Sequence, residues 1–142
     1  MVLLFFGYTY CPDVCPATLG EIREVFQSLG GRAVDVDFVF ITIDPQRDTA
    51  ESLGRHLAAF DERFIGLSGS EQALAQIYLD YGVYISRSSE SEAGYLLEHN
   101  SQIFVIDRAG NLRETFPFGV SAATIQRDLE VLLAEPADGF SQ

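Results

Sequence analysis

The chain opens on Val2-Leu3-Leu4-Phe5-Phe6, an unbroken apolar run closed by Gly7, which predicts a short strand covered on both faces of a sheet. From Ala17 to Leu29 the apolar positions Leu19, Ile22, Val25, Phe26 and Leu29 recur at helical spacing, and Gly30-Gly31 marks the stop. Val36 to Ile43 mixes Val, Phe, Ile and Thr and ends at Asp44-Pro45, where proline cannot continue a ladder. Strand, helix and strand make a β-α-β unit, which implies a right-handed crossover. Thr49 to Phe60, with Leu53, Leu57 and Phe60, predicts a second helix, and a short strand follows around Phe64 to Leu67. Ser70 suits an N-cap, and Glu71 to Tyr81 places Leu74, Ile77 and Tyr78 on one face of a third helix.

Polar and small residues fill Ser86 to Gly94, which predicts a solvated, mobile loop. Ser101 to Asp107 returns to a strand pattern, Asp107 to Asn111 reads as a turn, and Leu112 to Phe116 completes a hairpin. A last helix over about Ser121 to Leu133 carries Ile125, Leu129 and Leu132, and the tail from Pro136 to Gln142 is expected to fray. The chain is therefore expected to be α/β: a central mixed sheet flanked by helices, closed by a C-terminal β-hairpin and helix, in a single domain over residues 1–135.

Composition narrows the function classes. A chain of 142 residues has room for one core. Its formal charge of -12 repels phosphate backbones, and the basic residues are scattered, so nucleic acid is not an expected partner. The run Val2 to Phe6 is too short to cross a bilayer and lacks the charged flank of a signal peptide, so no membrane span is expected within this chain. The chain begins inside what should be a central strand, so further N-terminal strands and an export or anchor segment are expected upstream.

The chemistry concentrates in Tyr8-Thr9-Tyr10-Cys11-Pro12-Asp13-Val14-Cys15-Pro16, which holds both cysteines of the chain. A disulfide between Cys11 and Cys15 would close almost no loop and stabilise little, so reactivity rather than bracing explains the pair. The spacing i to i+4 puts both sulfurs on one side of a helical turn, and a helix N-terminus favours the thiolate that metal binding and disulfide exchange both require. Two thiolates and one imidazole suit three-coordinate Cu(I), whereas tetrahedral zinc wants a fourth ligand. Of the two histidines, His56 reads as a solvated residue of the second helix, and His99 lies between the polar loop and the strand Ile103 to Ile106. With a cysteine pair between first strand and first helix the layout resembles the thioredoxin arrangement, in which the His99 junction opposes the cysteine loop. Redox members of that fold place a cis-proline there; this chain has no proline from Arg87 to Phe116, which weakens a pure thiol-exchange reading.

Gly7-Tyr8-Thr9-Tyr10-Cys11-Pro12-Asp13-Val14-Cys15-Pro16, then Thr42-Ile43-Asp44-Pro45-Gln46-Arg47-Asp48-Thr49, then His99 ahead of a β run together resemble the SCO/SenC family of copper-binding, thioredoxin-like proteins. The resemblance covers nearly the whole chain. It implies a copper metallochaperone, membrane-anchored and extracytoplasmic, on the periplasmic face of a bacterial inner membrane or in the mitochondrial intermembrane space. Such a protein helps assemble the binuclear copper site of cytochrome c oxidase. Implied partners are the copper-site subunit of that oxidase and a thiol reductant or another copper carrier. Cys11, Cys15 and His99 take the place of the copper ligands, and Asp44 resembles the family's acidic residue near the site, although Asp-Pro turn chemistry accounts for it equally. Glu98 stands where the family commonly has Asp before the histidine, which keeps the carboxylate but lengthens its reach. Tyr10 stands where many members carry His or Phe. Arg47 and Asp48 are expected to form a local salt bridge and a helix cap. The competing function is a thiol-disulfide reductase in which Cys11 attacks, Cys15 resolves the mixed disulfide and His99 is dispensable.

Overall fold

The computed structural model describes residues 1–91 and 94–136. Strand β1 (Val2–Gly7) lies at the centre of a five-stranded sheet with β2 (Asp37–Thr42), β3 (Ile65–Leu67), β6 (Ile103–Ile106) and β7 (Leu112–Phe116), in the order β3-β2-β1-β6-β7. The pairs β1/β2 and β2/β3 are parallel, whereas β1/β6 and β6/β7 are antiparallel, so the sheet is mixed. Helices α1 (Val14–Leu29), α2 (Ala50–Ala58), α3 (Glu71–Asp80) and α4 (Ala122–Leu133) flank it, and a 3₁₀ turn over Gly30–Asp35 carries the chain from α1 into β2. This is a thioredoxin-like fold.

The central position of β1 follows from its sequence. Successive side chains point to opposite faces of a strand, so a strand without polar residues needs cover on both. Leu3 and Phe5 enter one core with Leu19, Ile22 and Phe26 of α1, Leu53 and Leu57 of α2, and Ile125 and Leu129 of α4. Leu4 and Phe6 enter the other, with Ile41, Leu74 of α3 and Phe104. Cys11 packs against both cores, which puts the cysteine loop at the end of the sheet where the two meet.

Two expectations need correction. Within the stretch from Ser86 to Gly94, the described residues are strand and not loop. Residues Ile85–Ser91 form β4 and Gly94–His99 form β5, an antiparallel pair that stands as a separate two-stranded sheet. Its register sets Ile85 against His99 and Ser86 against Glu98, with an irregularity between Ser88 and Glu90. A serine-rich strand lacks the apolar alternation that marks a half-buried strand, and its stability comes from backbone pairing and from the few apolar residues, such as Ile85 and Leu97, that pack on the α3-side core. The second correction concerns α1, which begins at Val14 rather than Ala17 and so takes Cys15 and Pro16 into its first turn, where proline's missing N–H costs no helical bond. Of the tail expected to fray, residues 137–142 lie outside the described residues.

Candidate metal centre

The site forms where β1 ends, α1 begins and β5 ends. Gly7 closes β1 directly beneath it: a Cβ added there would stand 2.8 Å from Cys15 Sγ and 2.8 Å from the Phe40 ring, so only glycine lets Cys15 sit against the strand. From Tyr8 the chain turns, with Cys11 N donating to Tyr8 O at 3.2 Å, and enters α1 at Val14. The first amides of a helix have no intrahelical acceptor. One of them, Cys15 N, donates to Cys11 Sγ at 3.4 Å. The two cysteines are free thiols, Cys11 half-buried and Cys15 buried.

These surroundings split the two thiols. Cys11 is pulled down to about 4, chiefly by the hydrogen bond from Cys15, with the His99 side chain and the backbone amides of Cys15 and Asp13 adding to the effect against the opposing cost of burial. Cys15 is pushed far up, because it gives that hydrogen bond, is buried, and would bring a second negative charge beside Cys11. The surroundings therefore favour one thiolate and one thiol over two thiolates, and a bound cation would favour loss of the second proton.

His99 closes the group from the ribbon. Its Nδ1 lies 2.9 Å from Asn100 O, and since a carbonyl only accepts, Nδ1 carries a proton there, which leaves Nε2 as the atom that would coordinate a metal. Nε2 faces Cys15 Sγ at 3.8 Å. The ring is held edge-on by Phe5 and Tyr8, with centroids 6.3 and 6.2 Å away. The ligand atoms of Cys11, Cys15 and His99 all lie within 4.8 Å of one another, and among the described residues no fourth His, Cys, Asp or Glu joins them. Bonds of about 2.0–2.3 Å to a d10 ion set ligand separations of about 3.5–4 Å in a trigonal plane, so the group fits a three-coordinate soft cation with little adjustment. A cleft of about 280 Å³ gives access, bordered by Pro12 and Val14 on one side and Leu96 and Glu98 on the other.

The remaining residues singled out in the sequence stand apart from this group. Asp44 is buried, paired with Arg47 and accepting from Tyr95 OH at 2.6 Å. The Arg47 guanidinium lies between the rings of Tyr10 and Tyr95, 4.4 and 3.8 Å from their centroids, so the expected local ion pair is present and also ties the cysteine loop to β5. Glu98 is exposed and neighbours His99 along a strand, where successive side chains diverge; the imidazole takes its orientation from the Asn100 carbonyl instead. His56 stacks near Phe60 on α2, outside the group.

Asp48 is not a helix cap. Thr49 caps α2 in a reciprocal arrangement with Ser52, and Asp48 is fully buried, accepting from Thr9 N at 3.1 Å, Thr9 Oγ1 at 2.5 Å and Thr42 Oγ1 at 2.7 Å. It fastens the cysteine loop to the end of β2. Neither this role nor that of Gly7 was read from the sequence.

Comparison with known proteins settles the lineage. The SCO1/SenC family model matches residues 1–134. The chain belongs to that family. An SCO2-like protein of Rickettsia prowazekii is 34% identical over 125 residues, covering 87% of this chain and 61% of its own length. The human mitochondrial SCO2 homolog is 34% identical over 127 residues, 87% of this chain and 48% of its own. The chain spans 57% to 64% of the length of the four Rickettsia relatives it matches. Among solved structures, copper-bound ScoI of Bradyrhizobium japonicum aligns with a TM-score of 0.84 at 36% identity, over 92% of this chain and 83% of its own.

Proposed function

We propose that this chain is a copper metallochaperone that carries one copper ion on the thiolates of Cys11 and Cys15 and the imidazole of His99. By the family resemblance, the recipient is the copper-site subunit of cytochrome c oxidase, whose binuclear centre it helps to fill, and the setting is extracytoplasmic. The observation that carries this reading is the set of three soft-to-borderline donors, with no fourth His, Cys, Asp or Glu beside them among the described residues. Copper here is cargo. It enters as the Cys15 proton leaves, and it can depart by ligand exchange through the side of the site where Cys11 and His99 border the cleft. Oxidation of the two thiols to a disulfide would withdraw both sulfur ligands, so a thiol reductant must keep the pair reduced, while another copper carrier would supply the ion.

A second reading rests on the thiol asymmetry. The Cys11 thiolate attacks a partner's disulfide, releasing one partner thiolate; Cys15, losing its proton, then displaces the second, leaving a Cys11–Cys15 disulfide and a reduced partner. An external dithiol would reset the pair. The two readings separate in one experiment: copper stoichiometry on fully reduced protein, with Cu(I) and Cu(II), for wild type, Cys15→Ser and His99→Ala. One tight equivalent, lost in Cys15→Ser and weakened in His99→Ala, is expected. Background binding in wild type, with disulfide reduction intact in His99→Ala, would overturn the chaperone reading in favour of the reductase.

A further inference from the structure

Tyr8 is buried to 1% exposure just beyond the end of β1, and it touches every part of the metal centre. Its carbonyl accepts from Cys11 N, and its backbone hydrogen-bonds the Cys15 thiol. Its ring meets the His99 ring edge-on. Its hydroxyl reaches across to β5, donating to Leu97 O at 3.1 Å and accepting from Leu97 N at 3.0 Å. Leu97 stands opposite Arg87 in the ribbon, and its amide and carbonyl turn away from β4 toward this one phenol. The hydroxyl thus does what a neighbouring strand would do: it satisfies both backbone groups of Leu97, two residues before His99.

The ribbon belongs to a separate two-stranded sheet, with no ladder to the five-stranded one among the described residues. Without a ladder, the position of His99 relative to the cysteines depends on the packing of Ile85 and Leu97 and on side-chain tethers. One is the Tyr95 hydroxyl on Asp44, which lies at the far end of β5 from His99. Near the imidazole, Asn100 is held to Gly82 O and Tyr84 N, and the Tyr8 clasp is the tether there that comes from the residue which also fixes the cysteine loop. We infer that Tyr8 is a positioning residue for the metal centre, its hydroxyl holding β5 so that His99 stays within bonding reach of the Cys11/Cys15 pair. This rests on the chaperone reading for its purpose, although the clasp itself does not depend on copper.

Tyr8→Phe removes the hydroxyl and leaves the ring in its buried slot, so the fold is retained. In metal-free reduced protein, the Leu97 amide is expected to exchange roughly tenfold faster and the His99 ring to become more mobile by NMR relaxation. In copper-loaded protein, affinity is expected to fall about tenfold and the nitrogen hyperfine signature of the imidazole in the Cu(II) spectrum to weaken. If Tyr8 acts through His99, adding Tyr8→Phe to His99→Ala costs nothing further. Tyr78→Phe is the control: that half-buried phenol donates to Thr42 O at 2.6 Å, at the end of β2 and not to β5, and its loss should move neither signature. Unchanged Leu97 exchange and His99 ring order in Tyr8→Phe would overturn the inference, as would wild-type affinity with full nitrogen coupling. Failure of wild type to bind copper would instead sink the chaperone reading, leaving the metal-free measurements to decide the clasp.

Discussion

Cys11 and Cys15 stand four residues apart in surroundings that drive their protons in opposite directions. Cys11 takes hydrogen bonds from the first turn of α1 and from Cys15, while Cys15 is sealed against Gly7 and Phe40. An ordinary thiol is almost wholly protonated near pH 6, so selective alkylation there reports a depressed pKa. Metal-free reduced protein treated with iodoacetamide at about pH 6 is expected to modify at Cys11 first, with Cys15 protected; mass spectrometry of the digested protein reads the order. Equal labelling would show that the asymmetry does not exist in solution. The same seal makes Gly7 intolerant of any side chain. Gly7→Ala forces a methyl within 2.8 Å of Cys15 Sγ and of Phe40, and overpacking of this kind costs about 1–3 kcal/mol. Urea unfolding should show that loss together with weakened copper binding, whereas a Gly20→Ala change on the open side of α1, where an added Cβ meets nothing, should show neither.

At the scale of elements, the site depends on two fastenings: Asp48 binds the cysteine loop to β2, and the tyrosines bind the ribbon to both. Asp48→Ala would leave the Thr9 amide and the hydroxyls of Thr9 and Thr42 without their acceptor inside the protein, and each orphaned donor costs roughly 1–3 kcal/mol. A loss of several kcal/mol in chemical denaturation is expected, and survival of wild-type stability would mean that water replaces the carboxylate. These fastenings mark the limit of what the sequence made legible. The central strand was readable because Leu3 to Phe6 alternate between two cores, and the helices because Leu19 to Leu29 and Ile125 to Leu132 keep a helical period. Cys11, Cys15 and His99 were readable as types that share one ion. The ribbon was not, because Ser86 and Ser88 carry no period and their strand is specified by a partner eight to twelve residues away. Asp48 was misread for a related reason: a carboxylate next to Thr49 has the pattern of a cap, and only tertiary contact with Thr9, 39 residues distant, gives it another task.

For the whole molecule, the two cores on either face of β1 are built from apolar side chains that the metal centre only borders, since Cys15 alone of the three candidate ligands is buried in them. Copper should therefore add stability without being needed for folding, unlike a small domain that folds only around its ion. The amount follows from mass action. A ligand bound only by the folded state adds about 2.7 kcal/mol at a free concentration a hundred times its dissociation constant. In a domain of this size each kcal/mol moves the midpoint by about 2–4 °C, so saturating copper is expected to raise Tm by roughly 5–10 °C. Chelation should return the protein to a cooperative, lower transition rather than to an unfolded chain. His99→Ala should show a smaller rise, because weaker binding contributes less at the same copper concentration. Calorimetry on reduced protein over a series of copper concentrations checks all three. A chain that loses its cooperative transition on chelation would show that the ion is part of the core, and a Tm indifferent to copper would show that the folded state does not bind it.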